Sequence, residues 1–542
     1  MAETPEDIHV STVGSPTKHK TMEPEKDLAI PDIHNIPVKI KRANDFYMEY
    51  AGLEERPSNV EIILWYIYEL CSYFVHTVLV PIVFPLIISQ IGSKADDSLP
   101  AVDQKFTGSP CSPKEMKLYQ DLISPSIKVS NYSFTPLEWT AISWAAGICL
   151  ATPILSLISR PLDHGRNHNL IFGGATAIGS LFCLPAGFFS VAWIFPPYIA
   201  AIVAASVVCN ASHTRHLGVM VRGYSTSVES QHQFPQRRSV GSWLSLHATA
   251  LGCLGGGIIS AFTYRMLHHR EKFLSLWVVS IFSGLKWIVG SAHAFSVNRP
   301  GVSNPIPLKH HVLTVFKYPH AVGSLIAVAL SSFTSTCIFT GGTLYVMGQL
   351  CVKPVFMLFL WLTYFLFPLF SLPLLHPLQQ LAKTDAVRMQ LLGFLVSATT
   401  SGLGFYFRNV DWNRPHILSM VAVQSMATGI LHAFGRVLLL DCTPAGKEGA
   451  FSVWFAWARA VGACGGFAIA SGFPGNVNRT FGFTFCTSLA GVLVLIFGNI
   501  SNYGGAVAAG HVMEDSNEKD STVHGLDRFS ERYGSVIMEA KA

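Results

Sequence analysis

Tyr66, Glu69, Tyr73 and His76 lie at i, i+3, i+7 and i+10 within one apolar stretch, so a helix there carries two phenols, a carboxylate and an imidazole on one face. Such a stripe is costly against lipid and belongs in a bundle interior or a water-filled cavity, unless Glu69 sits close enough to the helix end to be solvated. Lys286 falls near the middle of the sixth apolar stretch, too deep to reach either interface, and so calls for a partner or a wet cavity. Arg459 lies near the middle of the eleventh stretch and His247 within the fifth, where it is either a pathway group or a hydrogen-bonded packing residue. Together these groups suit a small zwitterion. A carboxylate would meet Arg459 or Lys286, an ammonium would meet Glu69, and His76 would exchange a proton. The alternative is structural: Glu69 pairs with Lys286, and Arg459 reaches Asp441. The sequence contains no HExxH, GxSxG or Walker-type loop, so neither an enzyme, a cofactor nor a metal site is expected.

The elements that would hold these residues are membrane helices. Half of the 542 residues are hydrophobic, 13% are charged and the mean hydropathy is +0.38; a soluble chain has about 25% charged residues. The apolar residues come in blocks of about 20, long enough to cross a hydrocarbon core of about 30 Å, without the alternation of a membrane barrel. In lipid each block satisfies its backbone only as a helix. The net charge of +5 gives no reason to expect nucleic acid. The lipid bilayer and a small solute are the expected partners.

The expected fold is all-α, with twelve transmembrane helices in two pseudo-symmetric halves. The expected order is a disordered tail (1–57), a six-helix half (58–297), a linker (298–319), a second half (320–500) and a tail (501–542). The spans are placed at about 60–89, 136–159, 169–191, 196–214, 240–264, 273–296, 320–347, 354–375, 389–407, 415–440, 450–472 and 480–500. An internal echo supports the halves: SWLSLHATALGCLGG (Ser242–Gly256) aligns with SVWFAWARAVGACGG (Ser452–Gly466), in the fifth and eleventh spans. Gly255, Gly256, Gly465 and Gly466 would there let a neighbouring helix approach closely. Ser58–Glu61 and Thr135–Glu138 have capping-box spacing before the first and second spans. Pro81 and Pro85 should bend or break the far half of the first. Arg436 and Asp441 read as groups fixing the end of the tenth span.

Loops after even-numbered spans are richer in Lys and Arg, which places both termini in the cytoplasm. The sequons at Asn131 and Asn478 both fall in loops on the opposite face, where glycosylation is expected.

Three stretches carry a resemblance. LWYIYELCSYFVHTVLVPIVFPLIISQ (Leu64–Gln90) is an aromatic-rich opening helix, and Asp163, Gly165 and Arg166 form a turn after the second span. Pro444, Gly446, Glu448 and Phe451 form a Pro-Gly-x-Glu-x-x-Phe pattern before the eleventh. The chain resembles the major facilitator superfamily and, within it, the autophagy-related vacuolar amino acid effluxers. The resemblance implies a carrier working by alternating access in a vacuolar or lysosomal membrane, with Asp163 and Arg166 clamping one conformation. The turn departs from the superfamily pattern, being one residue shorter and having Asn167 where a second basic residue is usual. A scaffold or receptor of the same fold, or a carrier of another organic solute, is the alternative.

Overall fold

The computed structural model describes residues 55–93, 113–187 apart from 166, 191–226, 233–269, 276–299 apart from 297 and 298, 312–350 apart from 319 and 349, and 354–500 apart from 409, 411, 445 and 499. The expected N-terminal tail up to residue 54, the C-terminal tail, most of the linker and Arg166 lie outside the described residues.

The chain opens with α1 (Asn59–Ser72), which runs through a π-helical segment, Val75–Val83, into α2 (Phe84–Ser93). Ser58 caps α1 by accepting the Glu61 N–H at 3.2 Å. The reciprocal half of the expected capping box is not made, because the Glu61 carboxylate is held by Arg299 (2.7 and 2.8 Å) and His216 (2.8 Å) instead. Pro81 neither breaks nor ends the helix. Its missing N–H falls inside the π segment, where the ladder widens to absorb it.

The polar stretch after α2 holds a helix, α3 (Pro113–Ile123), and a hairpin of β1 (Ile127–Val129) and β2 (Tyr132–Phe134). The strands are antiparallel, pairing Ile127 with Phe134 and Val129 with Tyr132. Asn131 stands exposed at the tip, beside Ser130 at φ 56°. The loop is seated by Tyr119 of α3, buried against Gly348, where any Cβ would fall 2.3 Å from its ring.

Then come α4 (Pro136–His164), α5 (His168–Cys183), α6 (Phe195–Thr226), α7 (Gln233–His269), α8 (Leu276–Gly290) and α9 (Ala292–Ser296). The remainder is α10 (Ala321–Gly348), α11 (Pro354–Leu381), α12 (Ala386–Tyr406), α13 (Arg414–Cys442), α14 (Glu448–Gly472) and α15 (Val477–Phe497). The capping box of α4 is complete: Thr135 Oγ1 accepts the Glu138 N–H at 3.1 Å, and Glu138 Oε2 accepts the Thr135 N–H at 2.9 Å.

Among the described residues, ten helices are long and apolar enough to cross a membrane. Two expected spans are not among them. The span expected at 169–191 ends as α-helix at Cys183, passing into a 3-10 turn at Leu184–Gly187 that contains Pro185. The span expected at 389–407 forms α12 at full length, but Gln390, Ser397, Thr400 and Ser401 dilute its apolarity.

Two helix crossings depend on glycine. α7 meets α1 so closely that a Cβ on Gly255 would lie 2.0 Å from the Leu70 carbonyl oxygen. α14 meets α10 the same way, with Gly462 against the Ala329 carbonyl (2.1 Å) and Gly466 against that of Phe333 (2.3 Å). Gly256 and Gly465 face aromatic rings instead, those of Phe365 (2.8 Å) and Phe333 (3.3 Å). Backbone cannot yield as a side chain can. Gly255→Leu and Gly466→Leu are therefore expected to cost more than the ~1–3 kcal/mol of ordinary overpacking and to abolish folded protein. Gly465→Leu should be tolerated best. Monodispersity of the purified variants by size exclusion checks the ranking, and equal behaviour of all three would contradict it.

Candidate functional site

A cavity of about 80 Å³ lies between helices from both ends of the sequence. The C-cap of α1 supplies Tyr73, the π segment His76, α6 Asn210, α10 Ser335, α13 His432 and α14 Arg459. The Arg459 guanidinium makes no hydrogen bond or ion pair among the described residues. His76 Nδ1 lies 3.0 Å from the Ser206 hydroxyl, and Tyr73 packs edge-on to His432 at 5.0 Å.

A smaller chamber adjoins this cavity through Tyr73, His76, Asn210 and Arg459, and continues to Glu69, His213 and Arg436. Glu69 and Arg436 are 3% and 1% exposed and form a direct ion pair. Taking two charges out of water requires this mutual compensation. Arg436 Nη2 also lies 2.8 Å from His432 Nε2, and the same nitrogen is 3.4 Å from Glu69 Oε1, so His432 bridges both members of the pair. His213 lies on the other side of the carboxylate, its Nδ1 3.3 Å from Glu69 Oε2. Its ring stacks on Trp65 at 4.5 Å. Counting Glu69, Arg436 and Arg459, the site holds one cation more than it has anions, and the surplus borders the cavity.

Of the residues singled out from sequence, the structure brings Glu69, Tyr73, His76 and Arg459 together. Tyr66, His247 and Lys286 lie elsewhere. Lys286 Nζ donates to the Gly255 carbonyl at 2.8 Å and sits 4.8 Å from the centre of the Phe74 ring. The close crossing at Gly255 exposes that carbonyl, so the lysine is satisfied without a carboxylate. Tyr66 and His247 face each other at 6.5 Å, and His247 Nδ1 donates to the Trp243 carbonyl at 2.9 Å. The partner of Glu69 is Arg436, not Lys286. Arg436 lies inside α13, well before its end at Cys442, instead of fixing the helix terminus. Its sequence signal was the pair His432 and Arg436 at i, i+4 in an otherwise apolar run.

The base of the bundle, where α4 and α6 end and α14 begins, is clasped. Asp163 Oδ1 accepts the Gly449 N–H at 2.5 Å and Oδ2 accepts the Ala450 N–H at 3.0 Å. A carboxylate there satisfies orphan donors of the first turn and meets the positive end of the helix dipole. Glu448, the first residue of α14, forms a buried ion pair with Arg222 of α6. The Pro-Gly-x-Glu pattern has a local reason: Pro444 is buried, and Gly446 takes φ 77°, which a side chain would resist. Gly165 caps α4, where a Cβ would fall 2.4 Å from the Pro161 carbonyl oxygen. Asp163→Asn removes the charge from both hydrogen bonds, worth roughly 1–2 kcal/mol. The expected result is an approximately tenfold faster modification of a cysteine placed at Ser452 by a water-soluble thiol reagent. An unchanged rate would show that Asp163 does not hold the base shut.

Membrane-length helices drawn from both ends of the chain surround a polar cavity and are clasped at one end, an arrangement shared with known structures. Solved structures with this fold include a crystal structure of the human organic anion transporter MFSD10 (TETRAN). It matches with a TM-score of 0.51 and 13% identity, over 81% of this chain and all of that one. No protein-family profile matches the sequence, and no curated protein does.

Proposed function

We propose that this chain is a secondary carrier that moves a small carboxylate-bearing solute by alternating access. An amino acid leaving the vacuole is the first candidate. The observation that carries the reading is Arg459, a guanidinium without a partner among the described residues, bordering a cavity between helices from both ends of the chain. A planar guanidinium grips a carboxylate through two hydrogen bonds. Glu69 is already occupied by Arg436, so an ammonium group would instead meet the face of Tyr73 or Tyr364 and the hydroxyls of Ser331 and Ser335. The three stretches resembling vacuolar amino acid effluxers supply the candidate solute and membrane. A second reading, an organic anion without an amine, is favoured by the same surplus cation and by the likeness in fold to a human organic anion transporter.

In this reading the chain has two halves of six spans, 58–297 and 320–500, with α5 and α12 completing the twelve. The paired glycine crossings, α7 on α1 and α14 on α10, support the repeat. Both termini face the cytoplasm. The sequons then lie on the opposite face, and Asn131, exposed at a hairpin tip, is the better acceptor than Asn478 in the first turn of α15. Glycosidase should shift the mobility of the expressed protein, and Asn131→Gln should remove most of that shift. A shift left intact by both Asn→Gln changes would contradict the assignment. Fluorescence of a fusion confined to the plasma membrane would contradict the vacuolar location.

The reading is tested with purified protein in liposomes loaded with labelled amino acids, with and without a pH gradient. Efflux above protein-free liposomes is expected. Its absence for every amino acid and organic acid tried would favour a scaffold or receptor of the same fold.

A further inference from the structure

We propose that His213 is the group that takes up and releases a proton during transport, and that its proton loosens Arg436 from Glu69. The proposal rests on the carrier reading and adds to it the residue and the sign of the coupling.

Three imidazoles surround the cavity and its inner chamber, and their surroundings differ. His76 faces a hydroxyl at 3.0 Å, which donates or accepts as required, so the neutral ring is satisfied. His432 Nε2 lies 3.4 Å from Glu69 Oε1 but also 2.8 Å from Arg436 Nη2, so a proton there would meet a guanidinium as well as the carboxylate. His213 is different. Its Nε2 donates to the Trp65 carbonyl at 3.2 Å, so a neutral ring must carry its hydrogen on that nitrogen. The bare Nδ1 then lies 3.3 Å from a carboxylate oxygen of Glu69. Two acceptors facing each other repel. A proton on Nδ1 turns that repulsion into an ion pair.

The groups facing His213 define what this proton does. From α1 come Glu69, the Trp65 carbonyl and ring, and the Tyr68 ring at 4.9 Å. From α9 comes His293, its ring 6.3 Å away, and from α13 comes Arg436, reached through Glu69. His216 lies one turn along α6 itself and is engaged by Glu61 at 2.8 Å. Among these groups Glu69 is the anion. When His213 is neutral, Glu69 answers to Arg436. When His213 is protonated, the carboxylate is shared between imidazolium and guanidinium, and the hold on Arg436 weakens. Arg436 and Arg459 line the same inner chamber, so a loosened Arg436 adds its charge to that of Arg459 for an incoming carboxylate. Proton and solute therefore bind together, and by linkage each tightens the other by the same factor. The proton balance is simple: one proton enters from the side where solute binds, stays on Nδ1 during the crossing and leaves where solute leaves.

Proton uptake on solute binding is measured first, on the wild-type protein, by calorimetry with an amino acid in two buffers of different ionisation enthalpy between about pH 5 and 8. Uptake approaching one proton per solute is expected, with affinity about tenfold higher at the acid end. Binding with no proton exchanged across this range would overturn the proposal while leaving the carrier reading intact; no binding and no flux of any solute would instead sink the carrier reading. The second measurement is the pH profile of flux in liposomes. His213→Gln should flatten it, whatever the remaining rate, whereas His76→Gln should keep the wild-type slope. A slope surviving in His213→Gln, or lost in His76→Gln alone, would contradict the assignment.

Discussion

Arg459→Ala is expected to lower amino-acid flux by on the order of 100-fold while leaving expression and membrane targeting unchanged. Arg459 borders the cavity and makes no hydrogen bond or ion pair among the described residues, so its removal leaves no buried anion exposed. What is lost is the group that would hold the solute carboxylate. Hydrogen bonds to a charged group contribute about 1.5–3 kcal/mol, and 1.4 kcal/mol corresponds to a factor of ten. Arg459→Lys retains the charge but not the fork, and should recover only part of the activity. Flux of labelled solute from liposomes checks this. Unimpaired flux in Arg459→Ala would remove the carboxylate-binding role.

The second large effect falls on stability. Glu69→Gln strands the Arg436 guanidinium, only 1% exposed, without its counter-charge. Breaking a buried pair from one side costs about 3–5 kcal/mol, whereas removing both partners is far milder. Glu69→Gln should therefore melt well below the wild type in detergent, and Glu69→Gln combined with Arg436→Gln should melt above the single variant. Glu138→Gln offers a control, because that exposed cap contributes about 1 kcal/mol or less. If the double variant were as unstable as the single one, the pair would not be the source of the cost.

The contrast between these two arginines shows what the sequence can and cannot reveal. Helical periodicity places Glu69, Tyr73 and His76 on one face, and the three do converge, because α1 passes into the π segment between them without a break. Small residues at the α7 and α14 crossings are legible because only glycine admits a backbone at 2.0–2.3 Å from a Cβ position. The ion partner of Glu69 is not. It lies 367 residues away, and the nearness of Asp441 makes Arg436 read as a terminal group. Lys286 calls for a partner or a wet cavity, and its partner is the Gly255 carbonyl on a neighbouring helix, a product of tertiary structure alone. His213 gives no specific local signal, since with Arg215 and His216 it stands where the expected fourth span ends and reads as part of a polar terminus; its meaning comes from Trp65 and Glu69 on α1. The stretch after α2 reads only as a polar loop, and α3 is held there by Tyr119 on Gly348, across the fold.

The central claim is that the cavity beside Arg459 receives a carboxylate. Equilibrium binding of a labelled amino acid to the purified protein, competed by the same amino acid, by its carboxamide and by the corresponding amine, tests it without dependence on membrane, gradient or direction. Competition by the free carboxylate alone is expected, together with its loss in Arg459→Ala. Equal competition by the carboxamide and the amine would contradict the claim.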